Sequence, residues 1–108
     1  MTQREFRSIA LALPATEERE HMNHPDFRVA GRIFATLGYP SAGWAMVALT
    51  PAQQQLYTLA HPEAFVPIKG AWGARGATNL RLRDAGKRIT KQALTDAWRN
   101  RAPKRLVD

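Results

Sequence analysis

Two alternating apolar runs around a two-residue turn limit the fold more than any other feature. Phe27-Arg28-Val29 and Ile33-Phe34-Ala35-Thr36-Leu37 flank Ala30-Gly31. Successive side chains of a strand point to opposite faces, so Phe27 and Val29 share one face while Arg28 points away. Ile33, Ala35 and Leu37 share a face by the same rule. Gly31 can take a positive φ without steric cost, so the spacing predicts a tight β-hairpin. A hairpin with one apolar face needs another layer to cover it.

The covering layer is legible as helices at the two ends and in the middle. Phe6, Ile9, Ala10 and Leu13 recur at helical spacing, Thr2 and Glu5 form a capping-box pattern, and Pro14 ends the segment; this predicts a helix over 2–13. Thr50-Pro51-Ala52-Gln53 opens a second helix over 51–60 in the same way. A third is predicted over 91–102, capped by Thr90 and stopped by Pro103, with Ala93, Leu94, Ala97 and Trp98 as its stripe. Glu17 to Asn23 reads as an exposed edge strand broken by Pro25. Trp44 to Leu49 reads as a buried strand, and Thr78 to Leu82 as another. His61 to Lys69 reads as irregular, and Lys69 to Gly76 as a glycine-spaced loop. Contiguous strands with helices at the ends argue for an α+β fold with a mostly antiparallel sheet, not a doubly wound parallel one. A chain of 108 residues fits one domain, 1–108.

Several chemistries are disfavoured. The chain has no cysteine, which removes disulfides, thiolate metal sites and a Cys nucleophile. His21 and His24 are three apart and would face opposite ways on one strand, so no metal site is expected. Ser8 and Ser41 lie outside any nucleophile elbow, and Glu17, Glu18 and Glu20 form a solvated acidic run. The expectation is therefore a non-enzyme without cofactor or metal. No secretory leader or membrane span is readable, so a cytoplasmic monomer is expected.

Charge is the one feature that points outward. Residues 1–66 carry five basic and six acidic side chains, whereas residues 67–108 carry eleven and three. That asymmetry suits a polyanionic partner, although basic residues also serve solubility. Arg81 and Arg83 should project together from one strand, with Lys87 and Arg88 on the next turn and Lys91 at a helix start. Arg28 and Arg32 flank the hairpin tip. Arg99, Arg101, Lys104 and Arg105 fall at a helix C-terminus, where cations are favoured anyway. Lys69 and Arg75 frame the glycine-spaced run, whose backbone amides could turn toward an anion. Trp72 within it could stack on a base or pack on the core.

Residues His24 to Leu37 (HPDFRVAGRIFATL) resemble the MmcQ/YjbR-like family. The likeness continues in Leu49-Thr50-Pro51-Ala52-Gln53-Gln54, Ala64-Phe65-Val66-Pro67, Lys69-Gly70-Ala71-Trp72-Gly73 and Ala97-Trp98-Arg99, and at the start in Leu11-Ala12-Leu13-Pro14 with Thr16-Glu17-Glu18. The resemblance implies a CyaY-like fold, a sheet with helices packed on one side, and DNA binding through hairpins used as a pair of wings. The expectation is thus a DNA-binding protein of low sequence specificity, with contacts from Arg28, Arg32, Lys69, Arg75, Arg81, Arg83, Lys87, Arg88 and Lys91. The alternative is a small anionic-ligand binder using the Lys69–Gly76 loop.

Overall fold

The computed structural model describes residues 1–107. Helix α1 (Gln3–Leu11) is followed by strands β1 (Thr16–His21), β2 (His24–Val29), β3 (Arg32–Leu37) and β4 (Trp44–Ala48). Helix α2 (Pro51–Ala60), strand β5 (Phe65–Pro67), the single turn α3 (Ala71–Ala74) and strand β6 (Ala77–Arg81) come next. A 3-10 turn (Leu82–Asp84), the long helix α4 (Lys87–Arg101) and a short α5 (Lys104–Val107) complete the chain. The strands form one antiparallel sheet in the order β1-β2-β3-β4-β6-β5.

Local chemistry sets the boundaries of the first two helices. The Thr2 and Thr50 hydroxyls each accept from the backbone amide of the third helical residue, and Glu5 and Gln53 accept from the cap amides in return. Both capping boxes are as the sequence predicts. The hairpin turn also forms as expected, with φ of 50° at Ala30 and 78° at Gly31.

Helices α1, α2 and α4 cover one face of the sheet. Phe6 and Ala10, Tyr57, and Ala93, Leu94, Ala97 and Trp98 meet Phe27, Val29, Leu37, Val47, Phe65 and Leu80 in one buried cluster. Each fully buried Phe or Leu in it stabilises the fold by about 1.5–3 kcal/mol. Trp98 also donates its indole N–H to the Pro14 carbonyl at 2.9 Å, tying α4 to the end of α1.

Five local readings need correction. A bulge in the β2–β3 pairing changes the face on which β3 residues lie: Phe27 faces Ala35 but Arg28 faces Ile33, leaving Phe34 as the extra residue. Phe34, Ala35 and Leu37 therefore join the helix-side core, and Ile33 joins a smaller cluster with Met46, Ala48 and Ala77. Pro25 does not break a strand but lies within β2, opposite Glu20. The segment read as irregular contains β5, whose pairing with β6 ends at Pro67. The glycine-spaced run is a helical turn, not a loop. Finally, α4 starts a full turn before Thr90: Gly86 is its N-cap, and the Thr90 amide already bonds back to the Gly86 carbonyl at 3.1 Å. Thr90 is fully buried, extending the Ala93–Leu94–Ala97–Trp98 stripe backward by one turn.

Candidate functional site

The other face of the sheet carries no long helix. On it, the register aligns Arg19, Asp26, Thr36, Met46, Asn79 and Val66 as one cross-strand row. The turn α3 sits at the margin of this face and holds Trp72, 55% exposed, beside Met46 and Thr36. The result is a trough. One part, about 390 Å³, is apolar and lies among Met22, His24, Tyr39, Met46, Ile68 and Trp72. The adjoining part, about 250 Å³, runs past Trp72 and Met46 to Arg75 and Arg101. His21 and Thr36 border both.

Beneath this surface lies an ionic knot. Asp26 is fully buried and accepts from Arg28 Nε at 2.8 Å and Nη2 at 3.1 Å. It also meets His21 Nδ1 at 2.7 Å. The Arg28 guanidinium, helped by His21, holds the Asp26 carboxyl below its ordinary range against the opposing effect of burial. A carboxylate can only accept, so His21 Nδ1 is the donor, leaving Nε2 for other partners. The β1–β2 hairpin sets His21 directly opposite His24, on one face rather than two. Among the described residues no group of three or more His, Cys, Asp or Glu could hold a metal ion.

The cations expected to bind phosphate divide between the two ends of the strands. Pairing of Ala77 with Ala48, and of Arg81 with Trp44, places Arg75 and Arg81 at opposite ends of β6. At the end shared with the β2–β3 hairpin lie Arg32, Lys69, Arg75 and Arg101. Arg32 Nη1 donates to the Arg101 carbonyl at 3.4 Å. Burial, and then the neighbouring Arg32 charge, lowers the Arg101 pKa from its ordinary value. None of these four has an acidic partner among the described residues. Arg28 is at this end too, but Asp26 neutralises it.

At the opposite end most charges are paired. Arg81 lies over the Trp44 ring at 4.7 Å and 3.6 Å from Asp84, and Arg83 shares the same carboxylate at 3.7 Å. Arg83 belongs to the 3-10 turn, so it is not the second member of a strand row with Arg81. Lys87 pairs with Glu5 at 3.1 Å. Arg88 and Lys91 are exposed and unpaired among the described residues, Lys91 on the second turn of α4 rather than at its start. The nine expected residues therefore divide between the two ends of the sheet.

The amides at the end of the glycine-spaced run are held by its own carbonyls. Ala74, Arg75 and Gly76 donate to Gly70, Ala71 and Gly73 carbonyls within α3. Gly76 is glycine because its φ is 112° and a Cβ would meet the Leu49 carbonyl; Gly73 is glycine because a Cβ would meet the Ile68 carbonyl. Those close approaches fix α3 and so Trp72. Sequence reasoning assigned Arg101 to helix electrostatics and overlooked Met22, Tyr39 and Met46. An exposed aromatic in a glycine-rich turn was the available signal.

No curated protein matches the chain. Among solved structures, the crystal structure of Deinococcus radiodurans protein DR2400, with family-model domain DUF419, superposes with a TM-score of 0.75. The identity is 16%, over 90% of this chain and 75% of that one, so the likeness is one of fold. The YjbR family model matches residues 11–100. With that match spanning most of the sequence, the chain belongs to the YjbR family.

Proposed function

We propose that the protein binds DNA with low sequence specificity, as a cytoplasmic monomer, by contacting phosphates at the hairpin end of its sheet. The observation that carries this reading is that Arg32, Lys69, Arg75 and Arg101 lie at one end of the sheet without acidic partners among the described residues. Adjacent like charges destabilise a fold unless something else compensates, and phosphate oxygens are the matching acceptors for guanidinium. Arg81, Arg83 and Lys87 contribute less because their own carboxylates hold them. Arg88 and Lys91 extend the positive field at the far end.

Four phosphate contacts predict that log K falls with log salt at a slope of about −3.6. Fluorescence anisotropy of a labelled duplex, titrated at several salt concentrations, measures it. Absence of binding at about 50 mM salt, where counterion release favours association, would overturn the proposal.

One observation favours a second reading, a small anionic ligand. Trp72 is half-exposed on the wall of a trough that also meets Arg75. A thermal shift with a phosphorylated compound, without any DNA binding, would select that reading over the first.

A further inference from the structure

We propose that the open-face trough holds one unpaired nucleotide unit, its planar base against Trp72 and its phosphate between Arg75 and Arg101. The phosphate half of this proposal rests on the reading of the hairpin end given above; the base half is independent of it.

The trough is graded along its length. Its larger part is walled by apolar and aromatic side chains, and its smaller part ends at two guanidiniums. A ligand that fits both must be flat and apolar at one end and anionic at the other. Met22, Tyr39 and Trp72 are 85%, 57% and 55% exposed. Their gathering on one rim leaves apolar surface in water that a stacked ring would cover. Tyr39 is already set edge-on to His24, with ring centroids 5.4 Å apart, which gives the rim a fixed aromatic wall. Base edges also need polar partners. His21 supplies Nε2 from a ring locked by Asp26, and Thr36 supplies a hydroxyl. At the far end, burial and the neighbouring Arg32 both bear on the Arg101 charge, a cost that an incoming phosphate relieves.

Size separates an unpaired unit from a duplex. A space of about 390 Å³ falls at the lower end of small-ligand sites and is far too small for a double helix. Bases inside a duplex are stacked on each other and cannot present a face to Trp72. The recognised chemistry is therefore a base joined to a phosphate, supplied either by a free mononucleotide or by an unpaired nucleotide within a strand. Stacking tolerates every base, because each has a π face.

The test uses the full chain with AMP, ribose 5-phosphate, a short single strand and a duplex of equal length. Tryptophan fluorescence and anisotropy are the readouts. AMP is expected to quench fluorescence and to bind about tenfold more tightly than ribose 5-phosphate. Trp72→Ala is expected to weaken AMP and single-strand binding about tenfold while leaving duplex affinity unchanged; Trp72→Phe should retain most of it. Trp72 is outside the core, and the thermal midpoint of each variant checks that it folds. Binding of AMP alone names the free nucleotide as the source, and Trp72-dependent binding of the strand alone names the strand. Tight duplex binding with no Trp72-dependent ligand overturns the base site but leaves the phosphate surface standing. AMP binding without duplex binding does the reverse. Failure of both AMP and single strand to depend on Trp72 overturns the proposal.

Discussion

Asp26 is the residue on which the open face depends most. Its carboxylate is removed from water and compensated by Arg28 and His21 alone. Replacing Asp26 leaves the partly buried Arg28 guanidinium without its anion, and breaking such a pair costs more than the pair itself contributes. Asp26→Asn should therefore destabilise the fold by about 2–3 kcal/mol at neutral pH, read as a lower urea midpoint. The pH dependence follows from the direction of the shift. The native carboxyl titrates below its ordinary value of 3.8, so its stabilisation is fully present above that pH and is lost as pH falls through the lower native value. The gap between wild type and Asp26→Asn should stay constant from neutral pH down to that region and then close. A gap independent of pH would mean that the charge has no role. The sequence reading treated Arg28 as free for phosphate. Yet Asp26 and Arg28 are two apart on a strand, hence on the same face; that spacing was enough to suggest the pair. What it could not show was His21 arriving from β1.

Elements set by local rules were the most legible. The two capping boxes and the Ala30-Gly31 hairpin need only neighbours in sequence, and all three form. Elements set by distant partners were not. β5 is three residues long and exists because β6 offers it an edge, while α3 exists because Gly73 and Gly76 let it press against Ile68 and Leu49. The start of α4 was misplaced because the Thr90 hydroxyl could cap a helix whereas Gly86 has no side chain to do so; Thr and Gly nonetheless rank about equally as N-caps, and burial of Thr90 in the core took precedence. This leaves α4 with a weak N-terminus. Gly86 offers no side-chain cap, and the first turn holds Lys87 and Arg88 with no acidic residue. A Cβ at Gly86 would meet nothing within 4 Å, and its backbone is extended. Gly86→Asp should thus cap the helix and offset both cations, adding about 0.5–1 kcal/mol. The thermal midpoint should rise by about 4 °C. Gly86→Ala, which fills the same space without an acceptor, should give no such gain.

For the whole molecule, the basic surplus matters less than where the topology places it. Insertion of β6 between β4 and β5 sends the chain past the hairpin end at Arg75 and brings it out at the opposite end at Arg81. A separation of only six positions in sequence thus spans the length of the sheet, and no reading of charge order could reveal that. The return of α4 then delivers Arg101 to the hairpin end, where Asn100 donates to the Ala48 carbonyl at 3.0 Å. If net charge alone governed DNA binding, neutralising any two exposed cations would weaken it equally. If the unpaired group at the hairpin end does, position decides. Arg32→Gln with Arg75→Gln removes two charges from that end, and Arg83→Gln with Arg88→Gln removes two from the other. Both double variants lower the formal charge of +7 by the same amount. The first should make the salt slope shallower by about 1.8, the contribution of two phosphates, and the second should change it far less. Equal slopes for the two variants would assign binding to the diffuse field of the protein rather than to the hairpin end.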